Sequence, residues 1–271
     1  MAAGSLLGIA LHEGTSFPVG KVDFCNLYPM TFREFLRACG QERFVELMDS
    51  QDFTMLSNFK SKIANYLRTY YFVGGMPEAV ETYVKTRNLD EVRAVQNRLL
   101  MAYENNLSKH APAEIVTKTR MVWNSIPTQL SRENKKFVYG LVREGAMSRL
   151  NKRILLEGDR LFEEFKGALT EQYVLQQLIV HEENDIFYWS AERGTGKIDF
   201  LVQMDDKIVL IEVKAEENLQ AKSLRIFVQK YDMKYAVRTS MSDYREQEWM
   251  VNFPLYYIGN LNQYYQDTKY S

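Results

Sequence analysis

Apolar residues recur every three to four positions in FVELMDSQDF, in FKSKIANYLRTYYFV and in DEVRAVQNRLLMAYENNLSKH, which predicts helices through residues 36–150. RLFEEFKGALTEQYVLQQLIVH continues the same period as one long amphipathic helix. The pattern then changes. IFYW, KIDFLVQ and KIVLIEVK read as strands with short turns, Asp205-Asp206 forming the turn between the last two. LQAKSLRIFVQKY returns to a helical period, and YAVRTS and LYYIG read as two further strands. Helix, three strands, helix, strand is the order of an α/β sandwich. With the helical front half, the expected class is α+β.

Local signals place the boundaries. GSLLGIAL is an apolar run, and FPVGKV reads as a short strand before the Tyr28-Pro29 turn. Thr31 is suited to cap a helix from about Phe32, with Glu34 three residues on completing a capping box. Gly74-Gly75-Met76-Pro77 interrupts the helices, and Pro77 suits the first turn of the next one. Two short helices around Ser131-Arg132-Glu133-Asn134 fit either a helix-turn-helix or ordinary helical packing. Three parts follow: a short strand-bearing segment over 1–35, a helical region over 36–153, and a sheet domain over 154–271.

The 271 residues are 46% hydrophobic and 25% charged, which fits a globular chain with a real core. Two cysteines, Cys25 and Cys39, suggest neither a disulfide framework nor a zinc site. No leader or apolar run near membrane-spanning length is present, so no membrane association is expected and the expected compartment is the cytoplasm. The net charge is −1, unevenly spread: residues 115–153 hold nine Lys/Arg and two Glu, a local excess of seven positive charges. Lys118, Arg120, Arg132, Lys135, Lys136 and Arg143 in that block are candidate DNA-backbone contacts, or one solvated helix face.

The chemistry concentrates in GTGKIDFLVQMDDKIVLIEVKA, residues 194–215. Glu212 and Lys214 are two apart in one strand and are expected on one face. In a hairpin Asp199 can lie beside Glu212. Two carboxylates and an ammonium suit a Mg²⁺ ion held by Asp199 and Glu212. The same spacing also fits an exposed hairpin face with a cross-strand ion pair. His12, His110 and His181 are isolated and read as surface or packed residues. Tyr256, Tyr257, Tyr264 and Tyr265 could stack bases, but they fit better as anchors of the last strand and tail.

The spacing Asp199-x12-Glu212-x-Lys214 resembles the core of the PD-(D/E)XK nuclease superfamily. More broadly, the chain resembles the C-terminal two-thirds of a bacterial AAA-family ATPase carrying a C-terminal domain of unknown function with that core. The resemblance rests on GSLLGIAL with FPVGKV, LYPMTFREFL, YYFVGGMPEAV, VWNSIPTQLSRENKKFVYG, LFEEFKGALTEQYVLQQL and the GKIDFLV…IVLIEVKA hairpin. It implies an ATPase sheet remnant, a helical lid with a partial winged helix, and an α-β-β-β-α-β nuclease-like sandwich.

Two departures qualify it. The nucleotide-binding core expected before Gly4 is missing, and no phosphate-loop motif occurs. Gly194-Thr195-Gly196-Lys197 imitates its tail, but Ala191 replaces the first Gly and Ile198 follows the Lys. ATP, the ligand of the parent family, is therefore not expected to bind. The stretch between Ala146 and Met147 looks shortened, so the winged helix would be incomplete.

The resemblance also implies an acidic residue from the first helix of the sandwich, matching Glu171, and a polar residue from the later helix, matching Gln229 beside Lys230. With Asp199, Glu212 and Lys214 these form the expected catalytic set for Mg²⁺-dependent phosphodiester hydrolysis. The alternative is a non-catalytic protein- or DNA-interaction module that has lost ATPase activity. DNA and self-association are the expected partners.

Overall fold

The computed structural model describes residues 26–110, 116, 121–123, 166–181, 184–190, 197–204, 206–215 and 222–267. The front half is helical: α1 (Phe32–Ala38), α2 (Glu42–Asp49), α3 (Phe53–Asn58), α4 (Lys60–Val73), α5 (Pro77–Thr86) and α6 (Leu89–His110). The rest runs α7 (Lys166–Leu178), β1 (Asp185–Ser190), β2 (Lys197–Met204), β3 (Lys207–Val213), α8 (Lys222–Tyr231), β4 (Tyr235–Ser240), β5 (Arg245–Glu246), β6 (Val251–Pro254), a 3₁₀ turn at Leu255–Asn260 and α9 (Leu261–Asp267). The α+β class is as expected, with helices in the front half and one mixed sheet behind.

The caps act as the sequence indicates. Thr31 and Glu34 close a reciprocal capping box at α1, and Pro77 opens α5. FVELMDSQDF differs from expectation. It divides between two helices, because Gln51 adopts a positive φ of 56° and the Asp52 side chain caps α3 by accepting from Met55 N–H.

The sheet order is β1-β2-β3-β4-β6-β5. The first three strands form an antiparallel meander, and β3-β4-β6 are parallel. One irregularity matters. Phe187 pairs with Leu201 and Trp189 with Ile198, so two steps along β1 match three along β2. That places a bulge at Asp199-Phe200.

The sheet is covered on both faces. Phe200, Val202, Ile211, Val213 and Val237 join α7's Tyr173 and Val174 in the larger cluster, which continues into Phe32, Phe35 and Tyr70 of the helical half. Ile198, Leu210 and Ala236 pack with α8's Leu224, Phe227 and Val228 on the other face. The two halves are also stitched by polar contacts. Phe32 N–H, an orphan donor in the first turn of α1, donates to Gln177 Oε1 at 2.9 Å. Gln176 Nε2 donates to Tyr70 OH at 2.8 Å, and that hydroxyl donates to Met30 O at 2.5 Å.

The expected last strand is displaced. LYYIG forms the 3₁₀ turn, and Val251–Pro254 is the strand instead. Leu255, Tyr256, Tyr257 and Ile258 are all buried, so no alternation distinguishes strand from helix there. Pro254 ends the ladder because it has no N–H to donate. No helix among the described residues is long and apolar enough to cross a membrane.

Candidate functional site

Asp199 sits in the β2 bulge, 3% exposed. Its Oδ2 accepts from Val213 N–H at 2.9 Å, so a carboxylate occupies a position that a backbone carbonyl would normally fill in the β2–β3 ladder. Its Oδ1 lies 3.0 Å from Lys197 Nζ, an ionic contact rather than a directed hydrogen bond. The same ammonium donates to Glu171 Oε1 on α7 at 3.1 Å. Ile198 packs on the α8 face, so alternation turns Lys197 and Asp199 toward α7, where Glu171 waits. Burial alone would pull the Lys197 ammonium down. The charges of Asp199 and Glu171 outweigh it and hold the group well above the ordinary lysine range.

Glu212 belongs to the other face. Its neighbours Ile211 and Val213 both join the α7-side core, so Glu212 points to the side of Leu210 and α8. It is 5% exposed, and its Oε1 lies 2.7 Å from Lys214 Nζ. Beside it in the parallel register stands Arg238, fully buried on β4. Gln229 is exposed on α8 and joins neither group.

The expected single cluster is therefore two. Glu171 and Asp199 meet through Lys197 on the α7 face, while Glu212 and Lys214 pair on the α8 face. Among the described residues no group of three or more His, Cys, Asp or Glu side chains is placed to hold a metal ion. The donor set as arranged does not fit Mg²⁺: one carboxylate pair already holds an ammonium, and the third carboxylate faces away. The physical reason is the β2 bulge: the register from Phe200↔Ile211, continued regularly, would set Asp199 opposite Glu212 on one face. Asp199 is turned by the bulge, and Glu212 is not.

Residues 166–258 match the family model of DUF4143, a domain of unknown function. Residues 64–156 match the model of DUF8612, also a domain of unknown function. No curated protein and no solved structure matches the chain. The DUF4143 segment begins with α7 and ends in the 3₁₀ turn, so it contains both charged clusters and the whole sheet.

Two residues of the DUF4143 segment escaped the sequence reading. Lys197 is two before Asp199, and that i, i+2 spacing in a strand was the available signal. Arg238 lies in YAVRTS, where a charge amid strand-forming residues marked an unusual burial. Lys118, Arg120, Arg132, Lys135, Lys136 and Arg143 lie outside the described residues. His12 lies outside them too, and His181 sits 3.4 Å from Gly259 O as a packed residue. Tyr256, Tyr257 and Tyr265 are buried in the core, so they anchor rather than offer faces for stacking.

Proposed function

We propose that this chain is a recognition arm of an AAA-type ATPase, in which a nuclease-like sheet binds a partner without hydrolysing it. The observation that carries the reading is the Lys197 ammonium, held 3.0 Å from Asp199 and 3.1 Å from Glu171. A fixed ammonium there supplies the positive charge that a metal would bring, but no activated water. The match to DUF4143, a domain found in C-terminal regions associated with AAA ATPases, supports the ATPase context. Fold alone does not imply turnover.

DNA is the partner proposed for the basic stretch over residues 115–153, on the strength of its excess of seven positive charges. The test uses the full chain with plasmid and linear duplex DNA in Mg²⁺ or Mn²⁺. Binding that weakens steeply with salt, and intact DNA after incubation, are the expected results. Cleavage that Asp199→Asn abolishes would overturn the reading and restore a hydrolytic role for Asp199, Glu212 and Lys214.

A further inference from the structure

A polar row crosses the α8 face of the sheet. Glu212 of β3 pairs in register with Arg238 of β4, Arg238 with Asn252 of β6, and Asn252 with Arg245 of β5. One step earlier along the same face, Leu210 pairs with Ala236 in the apolar layer under α8. The row therefore begins where the apolar layer stops, toward the C-terminal ends of the parallel strands. In open α/β sheets that end is where ligands are received.

Arg238 is the centre of the row. It is 0% exposed, as is Asn252. Its Nε donates to Asn252 Oδ1 at 2.8 Å, and Ser240 Oγ donates to the same oxygen at 2.9 Å. Asn252 Nδ2 donates to Asp243 O at 2.8 Å and to Ser242 O at 3.3 Å, which fixes the amide and with it the guanidinium. Yet, among the described residues, Nη1 and Nη2 of Arg238 are buried with no hydrogen-bond partner, and so is Glu212 Oε2. Glu212 turns its other oxygen to Lys214, 2.7 Å away, rather than to Arg238. A buried guanidinium with its outer fork unpaired is a costly arrangement that native proteins keep for a reason.

The fork is shaped for a bidentate tetrahedral oxyanion. Among the described residues of the row, Arg238, Lys214 and Arg245 bring three cations against the one Glu212 carboxylate. Arg245 is exposed, so the row runs from solvent at the sheet edge to the buried fork. Burial pulls the Arg238 guanidinium down and Arg245 adds to that, while Glu212 opposes both. A bound anion would relieve the first two.

We propose that Arg238 anchors a binding site for a phosphate-class oxyanion on the α8 face of the sheet, with Asn252 and Ser240 holding it in place and Lys214 and Arg245 at its flanks. The site is separate from the Glu171–Lys197–Asp199 cluster and independent of any metal. The test titrates the full chain with inorganic phosphate, without divalent cations, against chloride at matched ionic strength. Calorimetry and thermal unfolding provide the readouts.

Saturable phosphate binding and a raised Tm are expected for the wild type. Arg238→Lys keeps the charge but loses the fork, and is expected to weaken binding by about tenfold or more. Arg245→Ala, on the surface, is expected to weaken it several-fold with folding unchanged. Competition by a 5′-phosphorylated oligonucleotide, but not by its unphosphorylated twin, would identify a terminal phosphate ester as the ligand. Competition by neither would leave free phosphate. Absence of saturable binding in the wild type would overturn the site, with the guanidinium served by water alone. Binding unchanged in both variants would place the anion elsewhere and overturn it equally. No DNA cleavage is read, so failure here leaves the proposed non-hydrolytic role standing or falling by its own assay.

Discussion

Lys197 Nζ stands 3.0 Å from Asp199 Oδ1 on the same face of one strand, and the bulge at Asp199-Phe200 turns that face away from Glu212. The Asp199 carboxylate is almost fully buried, while the Lys197 side chain remains 38% exposed. The pair therefore joins a buried anion to a cation that solvent still reaches. Glu171 fixes the ammonium from the opposite element. A β2–β3 seam that would otherwise lose a backbone hydrogen bond at Val213 is closed by a side chain.

Removing the ammonium should open the cluster to metal. Lys197→Met keeps the aliphatic stem and leaves Glu171 and Asp199 facing each other. We expect Mn²⁺ to bind this variant about tenfold or more tightly than wild type by calorimetry. Equal affinities in the two proteins would show that Lys197 does not occupy a cation position.

Asp199 should be worth more as an acceptor than as a charge. Asp199→Asn keeps an oxygen for Val213 N–H and loses the ion pair, which solvent around Lys197 already screens. A cost of about 1–2 kcal/mol in urea unfolding is expected. Asp199→Ala strips the acceptor too and should cost more, because a buried N–H is then unpaired. An Ala variant no less stable than the Asn variant would contradict this ordering.

Much of this architecture was legible in the pattern of residues. The meander, α7, α8 and the Thr31 capping box follow from periodicity and local chemistry, since each depends on neighbours in sequence. The site was legible only in composition. Asp199, Glu212 and Lys214 are where the motif puts them, but the spacing x12 does not reveal a bulge. One extra residue in β2 decided which face Asp199 takes, and a bulge is set by pairing with β1. Arg238 and Asn252 became partners through a parallel register between strands joined by long connections. Such registers are tertiary facts, invisible to a window of sequence. LYYIG failed for a different reason: a segment buried on all sides has no period to read.

Gly75 should resist any side chain. A Cβ there would lie 2.4 Å from Met30 O and 2.7 Å from Gln176 Nε2, in the seam between the helical half and α7. Met30 N–H donates to Gly75 O at 2.7 Å, so the two backbones are held too close to part freely. Gly75→Ala is expected to destabilise by about 1–3 kcal/mol in urea unfolding. Gly40→Ala is the contrast: its cost comes from a φ of +73°, since no atom of the described residues lies within 4 Å of the added carbon. A Gly75→Ala protein as stable as wild type would mean the seam is looser than these distances require.

Alkali should unfold the chain. Burial raises the phenols of Tyr70, Tyr71, Tyr173, Tyr256 and Tyr257 far above their ordinary range, and it is the dominant cause in each case. Lys197 is raised as well, by its two carboxylates against burial. A group raised in the fold holds its proton more tightly there than in the unfolded chain. Its stabilising contribution is complete below the unfolded value, near pH 10 for tyrosine, and is lost as pH rises toward the folded value. The urea midpoint should therefore be flat with respect to these groups from about pH 8 to about pH 9.5 and fall steadily above about pH 10. Phenolate absorbance from the buried tyrosines should appear together with loss of the near-ultraviolet circular dichroism, because the core that excludes water also keeps the phenols neutral. Full titration of all seventeen tyrosines near pH 10 with the fold intact would refute this burial.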